Sequence, residues 1–368
     1  MAGIYIHIPF CRQACHYCNF HFTTSMRYKD DLVHALAKET ELQKNYLVGE
    51  AVKTIYFGGG TPSLLEIEDL KLIIEKIRNT FLVQSGGEIT LEANPDDITE
   101  EKLLQWKEAG INRLSIGIQS FFDEDLQWMN RAHTAEQAIN SLKLVTNHFS
   151  NITIDLIYGI PGLSDEKWKQ NVDTAVAIKI PHLSCYALTV EKKTPLDKMI
   201  REEKKENMDP DKQSEQFLLL MHWMENAGYE HYEISNFAKP GLQSQHNSSY
   251  WQGKKYLGIG PSAHSFNGNS RQWNISNNQQ YIDSIQKGII PYQREELTEI
   301  QKLNEYIMTS LRTKEGLDLA KTGDASEKLA VAAGKYIEGG LICAADNHLI
   351  LTREGKLLAD GIAAALFI

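Results

Sequence analysis

Residues 4–20 read IYIHIPFCRQACHYCNF. Ile4, Ile6 and Ile8 alternate with Tyr5 and His7, the pattern of a strand with one apolar face. Cys11, Cys15 and Cys18 follow directly, spaced C-x3-C-x2-C. Soft thiolates at this spacing select iron–sulfur clusters, zinc or copper(I). Zinc is open to this segment, because His7, His16 or His21 could complete a tetrahedral site. So is a structural cluster whose fourth ligand is the distant Cys185 or Cys343. A third arrangement leaves one iron of a four-iron cluster without a protein ligand, free to bind a small chelating molecule.

Five further runs carry the same kind of strand: KTIYFGG (53–59), EITLEANP (88–95), NRLSIGIQS (112–120), ITIDLIYGIPG (152–162) and HLSCYAL (182–188). Amphipathic stretches separate them. In one, Leu32, Ala35 and Leu36 recur at helical spacing. In another, Thr99 is the expected N-cap and Gly110 the expected terminator, while Lys102 stands where a capping box needs an acid or amide. Six βα units in series imply a parallel sheet covered by helices.

The strand faces say more. Thr90, Glu92 and Asn94 oppose Ile89, Leu91 and Ala93. Ser115, Gly117 and Gln119 oppose Leu114, Ile116 and Ile118. Thr153 and Asp155 oppose Ile152, Ile154 and Leu156, and Ser184 and Tyr186 continue the theme. A doubly wound sheet buries both faces and reads as near-continuous apolar runs. A complete eight-stranded barrel fills its interior with bulky branched residues. Six strands with one polar face point instead to an α/β fold: an incomplete parallel (β/α)6 barrel around a ligand-filled lumen.

The pattern changes after residue 195. EKKTPLDKMIREEKKENMDPDK reads as a solvated helix or linker, SEQFLLLMHWMENAG as an amphipathic helix and YEHYEISNFA as a strand. SQHNSSYWQGKKYLGIGPSAHSF is rich in turn and aromatic residues and has little periodicity. Beyond about 297, two helical segments precede HLILTREGKLLAD, which suggests a smaller helical, winged-helix-like domain with a glycine-containing hairpin. The chain thus divides into a barrel core (1–195), an extension and linker region (196–290) and a C-terminal domain (291–368).

Composition sets outer limits. With 38 basic and 48 acidic residues the formal charge is -10, which argues against a general nucleic-acid binder. An odd set of five cysteines, three of them clustered, reads as a reduced, cytoplasmic protein with a metal site. Strand and cysteines occupy the start of the chain, where a secretory signal would lie. No apolar run approaches the ~18 residues of a membrane span, and DGIAAALFI at the C-terminus reads as the edge of a small domain.

Other motifs fit a lumen that binds a ligand. GGGTP (58–62) follows the second strand. It lacks the lysine of a phosphate-binding P-loop and reads either as a tight turn capped by Thr61 or as backbone that holds a ligand amino acid. Glu92, Gln119 and Asp155 lie on successive polar strand faces, near the ends that bind ligands in parallel barrels. Arg131, just past the fourth strand, offers a forked donor for a carboxylate.

Together Cys11, Cys15, Cys18, GGGTP and the strand-borne Glu92, Gln119 and Asp155 resemble the radical SAM superfamily. More narrowly, YIHIPFCRQACHYCNF, LEANP, LSIGIQSF, DLIYGIPG, HNSSYW and GIGPSAHS are similar to its HemW and HemN branch. That branch comprises oxygen-independent coproporphyrinogen III oxidases and their haem-chaperone relatives. The resemblance runs over nearly the whole chain. It implies that the three cysteines ligate a [4Fe-4S] cluster and that S-adenosylmethionine (SAM) occupies the fourth iron. It also implies that Tyr5, Gly59, Gly60, Thr61, Glu92, Gln119, Arg131 and Asp155 contact the cofactor.

Two departures separate the chain from the oxidases of that branch. Those carry a further cysteine two positions after the third, where this chain has Phe20. They also carry an N-terminal extension, whereas this triad begins at residue 11. Both differences match the haem chaperones. For them the resemblance implies haem as cargo, a haem-accepting respiratory protein as partner, peripheral contact with the inner face of the cytoplasmic membrane and a homodimer. Oxidative decarboxylation of coproporphyrinogen III is the alternative activity. QHNSSYW (245–251) matches the group's H-N-x-x-Y-W motif. It makes His246 the first candidate for an axial haem ligand, with Tyr250 and Trp251 lining a flat apolar site and His264 as a competitor.

Overall fold

The computed structural model describes residues 1–368. The six runs form β1 (Ala2–Ile8), β2 (Val52–Gly59), β3 (Val83–Ala93), β4 (Arg113–Gln119), β5 (Ile152–Tyr158) and β6 (His182–Ala187). They pair in chain order, each parallel to the next. Helices cover the apolar face: Lys29–Leu42, Ile67–Thr80, Glu100–Glu108, Ala135–His148 and Asp165–Ala177 among them. The expected partial (β/α)6 barrel is therefore present.

Burial explains the alternation. Ile4, Ile6 and Ile8 are each fully buried, as are Leu114, Ile116 and Ile118. Each such side chain contributes about 2 kcal/mol relative to leaving it in water. They belong to one core of 62 residues that runs the length of the sheet. Helix ends follow their local chemistry. The Thr99 hydroxyl accepts from the Lys102 amide with no reciprocal box, and Gly110 takes φ +95° just past the end.

The sheet does not stop at six strands. Beside β6 lies an antiparallel hairpin, β7 (Glu230–Glu233) and β8 (Asn236–Ala238). Beside β1 lies β9 (Tyr256–Ile259), parallel to it, then β10 (His264–Phe266), β11 (Ser270–Asn274) and β12 (Tyr292–Glu296), antiparallel in turn. The result is one sheet of twelve strands. The stretch without periodicity is thus a short helix, Gln245–Trp251, followed by two short strands. Its strands run four and three residues, too short for alternation to show.

A buried carboxylate fastens this extension. Glu39, on the helix Lys29–Leu42, accepts from the Gly260 amide (2.8 Å), Asn274 Nδ2 (2.7 Å) and the Tyr281 hydroxyl (2.5 Å). Burial pushes its pKa up, against those three donors.

The C-terminal residues form a separate core of 13 side chains around β13 (Leu317–Asp318), β14 (Ile342–Ala345) and β15 (His348–Leu351), paired in the order 13-15-14. Helices Glu299–Leu311 and Ser326–Glu338 pack on them. The expected helix-plus-hairpin module is there, but its turn is not glycine. Asp346 and Asn347 take φ 49° and 67°, as a tight two-residue hairpin turn requires. Ile362, Ala363 and Leu366 of the C-terminal apolar run are buried in this core. No helix of the chain is long and apolar enough to cross a membrane.

Candidate functional site

The loop between β1 and the first helix carries the three cysteines, and two elements hold it. The Cys11 amide donates to the Thr23 carbonyl, closing the loop on itself at 3.0 Å. A turn after the helix Asp123–Met129 clamps the other side. There Asn130, in the left-handed region at φ 60°, donates through Nδ2 to the Ala14 carbonyl (2.7 Å) and accepts from Gln13 (3.1 Å). That conformation suits asparagine better than most residues, and it sends the next side chain, Arg131, toward the cysteines.

A cavity of about 470 Å³ opens at the carboxyl ends of the strands. Cys11, Cys15 and Cys18 line it, and so do Gly59, Gly60, Thr61, Glu92, Gln119, Arg131 and Asp155. These residues come from six separate segments of the chain. Tyr5 is the exception. Its hydroxyl meets His7 Nδ1 at 3.2 Å, its ring stacks on Tyr56, and it faces a second cavity described below.

One chain of hydrogen bonds joins two of the cysteines. The Thr61 hydroxyl donates to Cys11 Sγ at 3.6 Å, and Asn94 Nδ2 donates to Thr61 Oγ1 at 3.1 Å. Arg131 donates through one terminal nitrogen to Asn94 Oδ1 (2.7 Å) and the Gly117 carbonyl (2.8 Å), and through the other to Cys15 Sγ (3.3 Å). The guanidinium is thus a forked donor, but its target here is a sulfur. Burial pushes the Cys11 thiol up to about 11, with the Thr61 hydroxyl opposing. Burial raises Cys18 as well. Thiols so placed need a strong electrophile, such as a metal, to bind as thiolates.

The donor set fits an iron–sulfur cluster better than a single ion. No group of three His, Cys, Asp or Glu side chains converges tightly enough to hold one metal ion. The histidines of the zinc reading are also committed elsewhere. His7 Nε2 meets the His21 carbonyl (2.9 Å), His16 Nδ1 the Trp128 carbonyl (3.3 Å) and His21 Nε2 Asn278 Oδ1 (2.7 Å). Cys185 is buried in the sheet core and Cys343 is exposed in the C-terminal domain, so neither reaches the triad as a fourth ligand. Three thiolates with donors aimed at their sulfurs are what a cluster uses to tune its stability and potential.

The opposite wall suits a cationic ligand. Glu92 accepts from the Tyr56 hydroxyl (2.7 Å) and the Gly59 amide (3.1 Å). Burial pushes it up to about 6 against those two donors. Burial, then the neighbouring Glu92, pushes Asp155 up to about 7. A ligand carrying ammonium or sulfonium charge would return both acids to their carboxylate forms.

The GGGTP turn is shaped by contact. A Cβ on Gly59 (φ +108°) would meet the His7 ring at 2.5 Å, and one on Gly60 would meet the Phe10 carbonyl at 2.6 Å. Its amides are spent: Gly59 on Glu92, Gly60 on the Ile8 carbonyl, Thr61 on the Phe10 carbonyl. Any part it takes in holding a ligand falls to its carbonyls. Gln119 is held at φ 68°, where the β4–β5 register shifts, at a cost of ~1 kcal/mol. Its side-chain amide lines the cavity and makes no hydrogen bond within the protein.

His246 is buried, away from the cysteine cavity. Its Nδ1 pairs with the Thr54 hydroxyl and its Nε2 with the Tyr250 hydroxyl, both at 2.8 Å, while its ring stacks on Tyr56 at 5.0 Å. Its backbone amide donates to Glu88 Oε1 at 3.0 Å. In this arrangement neither ring nitrogen is open to a metal. The histidine instead ties the Gln245–Trp251 helix to β2 and β3.

Three residues outside the sequence-level candidates matter to this site. Asn94 was visible as the third polar residue on the β3 face. Tyr56, on β2, orients Glu92 and stacks between Tyr5 and His246. Asn130 has a signal only once the preceding helix end is located.

Comparison with known proteins agrees with this geometry. Residues 5–175 match the family model of the radical SAM superfamily, and residues 297–358 match that of the HemN C-terminal domain. The chain is 35% identical to the heme chaperone HemW of Bacillus subtilis over 99% of both chains. It is 34% identical to the heme chaperone HemW of Mycobacterium tuberculosis over 99% of this chain and 94% of that one. Among solved structures, coproporphyrinogen III oxidase (HemN) from Escherichia coli superposes with a TM-score of 0.85 at 22% identity. It covers 100% of this chain and 90% of that one, a likeness of fold. Superfamily membership implies SAM and a [4Fe-4S] cluster as cofactors. By similarity over its full length, the chain belongs to the HemW family of the radical SAM superfamily.

Proposed function

We propose that the chain is a haem chaperone: it binds haem beside a SAM-coordinated [4Fe-4S] cluster and passes the haem to a respiratory protein. The observation that carries this is the full-length similarity to proteins named heme chaperone, together with Phe20 two positions after Cys18. At that position oxidases of the resembling branch carry a further cysteine.

When bound, the cluster supplies an electron to the sulfonium of SAM. The chain's own residues do the rest. Cys11, Cys15 and Cys18 would hold the cluster. Thr61 and Arg131 donate to two of the sulfurs and limit the negative charge there. Glu92 and Asp155 would receive the ligand's positive groups, Gln119 would offer its amide, and the carbonyls of Gly59 and Gly60 would serve its amino-acid end.

The test is anaerobic reconstitution followed, on one sample, by iron and sulfide analysis, haem titration and a coproporphyrinogen turnover assay with SAM and a reductant. The proposal expects a cluster, one haem per chain and no protoporphyrinogen. Turnover to protoporphyrinogen, or a reconstituted protein that ignores haem, would overturn it.

A further inference from the structure

A second cavity of about 850 Å³ lies beside the first, between the β9–β11 extension and the helix Glu299–Leu311. One short helix serves both: Gln245–Trp251 presents Asn247 to the cysteine cavity and Tyr250 and Trp251 to the second. Its contacts fall on Gly3 of β1, Thr54 of β2 and Glu88 of β3, toward the amino ends of those strands. The cysteines lie at the opposite, carboxyl end. The helix is therefore the floor of the lumen.

Two strands join this floor to the cofactor wall. Glu88 and Glu92 are four residues apart on β3, so they share its inner face. Glu88 accepts from the amides of Gln245 (3.2 Å) and His246 (3.0 Å), which fixes the start of the helix. Glu92 stands at the cofactor end. On β2 the alternation repeats with Thr54 and Tyr56. Thr54 pairs with His246 Nδ1 at 2.8 Å, and the Tyr56 hydroxyl donates to Glu92 Oε1 at 2.7 Å. The His246 ring lies on the Tyr56 ring, 5.0 Å between centroids and 28° from parallel. Its other nitrogen is held by the Tyr250 hydroxyl at 2.8 Å.

Two glycines make room for this stack. A Cβ on Gly3 would meet Thr54 Oγ1 at 2.9 Å and the His246 ring at 3.1 Å. A Cβ on Gly58 would meet the Tyr56 ring at 2.8 Å and Glu92 Oε1 at 2.9 Å. Neither glycine has a positive φ, so space and not backbone conformation excludes a side chain at both positions. The contacts thus run unbroken from Tyr250 through His246 and Tyr56 to Glu92. A phenol hydroxyl lies in the plane of its ring, so a shift of the Tyr56 ring carries the donor away from the carboxylate. Glu92 would then keep only the Gly59 amide, at 3.1 Å.

We propose that Tyr56 is a positioning residue for the cofactor site, and that the helix Gln245–Trp251 sets the Glu92 carboxylate through it. The inference rests on the reading of the first cavity as the SAM site. It gives the helix a task in that cavity, besides the wall that it lends to the second.

The test measures SAM affinity on the anaerobically reconstituted full chain, from the change that SAM makes in the paramagnetic resonance of the reduced cluster. The variants are Tyr56→Phe, Tyr250→Phe and Glu92→Gln, singly and in pairs. Unchanged iron and sulfide content reports that each folds around its cluster. Tyr56→Phe should weaken SAM binding about 10-fold, the lower end of what a hydrogen bond to a charged group is worth. Tyr250→Phe, which releases one side of the His246 ring, should weaken it about three-fold, the scale of coupling through a packed neighbour. The pairs decide. Beside Tyr56→Phe, Tyr250→Phe should add nothing, and beside Glu92→Gln neither should, because one contact carries both effects. If Tyr250→Phe leaves SAM affinity unchanged, or its factor multiplies with that of Tyr56→Phe, the proposal is wrong while the SAM site stands. A loss from Tyr56→Phe that persists in full beside Glu92→Gln is a general loosening and also overturns it. If wild-type protein binds no SAM, the SAM reading and the proposal both fall.

Discussion

The two cavities are neighbours built on different principles. The first is lined from five parallel strands and their loops, and its chemistry is a relay of polar contacts from Cys11 through Thr61, Asn94 and Arg131 to Cys15. The second is lined by aromatic rings from short antiparallel strands and a C-terminal helix, with cations at its rim. The first cavity can hold a compact, charged cofactor at fixed points. The second offers area and a few charges.

The largest effect that separates them is expected from Cys15→Ala. It should abolish the cluster, read as loss of iron and sulfide after reconstitution. A variant that still assembled a stable four-iron cluster would refute the three-thiolate site.

Next is Glu39→Leu, which strands the Gly260 amide, Asn274 Nδ2 and the Tyr281 hydroxyl in the interior. The loss should be about 3 kcal/mol or more, read by denaturant unfolding. It should also disorder the extension that walls the second cavity. An unchanged unfolding midpoint would mean that Glu39 does not hold the extension.

Arg131→Met removes a charge-assisted bond to Cys15, worth about 1.5–3 kcal/mol. Taking positive charge from beside the cluster makes it harder to reduce. Redox titration should therefore show a more negative potential, by about 60 mV for each 1.4 kcal/mol of that interaction. A potential that stayed put or rose would show that the Arg131–Cys15 contact does not reach the cluster.

Gln119→Gly should be the mildest and should split two readouts. Glycine accepts φ 68° without strain, so stability should rise by about 1 kcal/mol. SAM affinity should fall, because the free amide in the cavity is gone. A variant both less stable and equally good at binding SAM would contradict the account of Gln119.

The same contrast decides what was legible in the sequence. Strands of six to eleven residues with one buried face write their orientation into the chain, so Glu92, Gln119 and Asp155 could be placed in one lumen before any coordinates. The cysteine spacing did the same for the triad. For Tyr5, alternation gives the face of the residue but not which of two adjoining cavities that face meets. The second cavity left almost no trace. Its strands are three to five residues long, and its walls come from segments far apart in the chain that meet through β1–β9 pairing, the Glu39 contacts and the docking of the C-terminal helix. The motif HNSSYW marks the helix Gln245–Trp251. His246 holds that helix to β2 through Thr54, and Tyr250 and Trp251 face the cavity.

The central claim is that one chain holds a cluster with SAM and a haem at the same time. The direct measurement is a binding stoichiometry of SAM on the reconstituted protein, by paramagnetic resonance of the reduced cluster, before and after saturation with haem. The account predicts that the SAM-bound cluster signal persists, with one SAM and one haem per chain. Displacement of SAM as haem is added would contradict it.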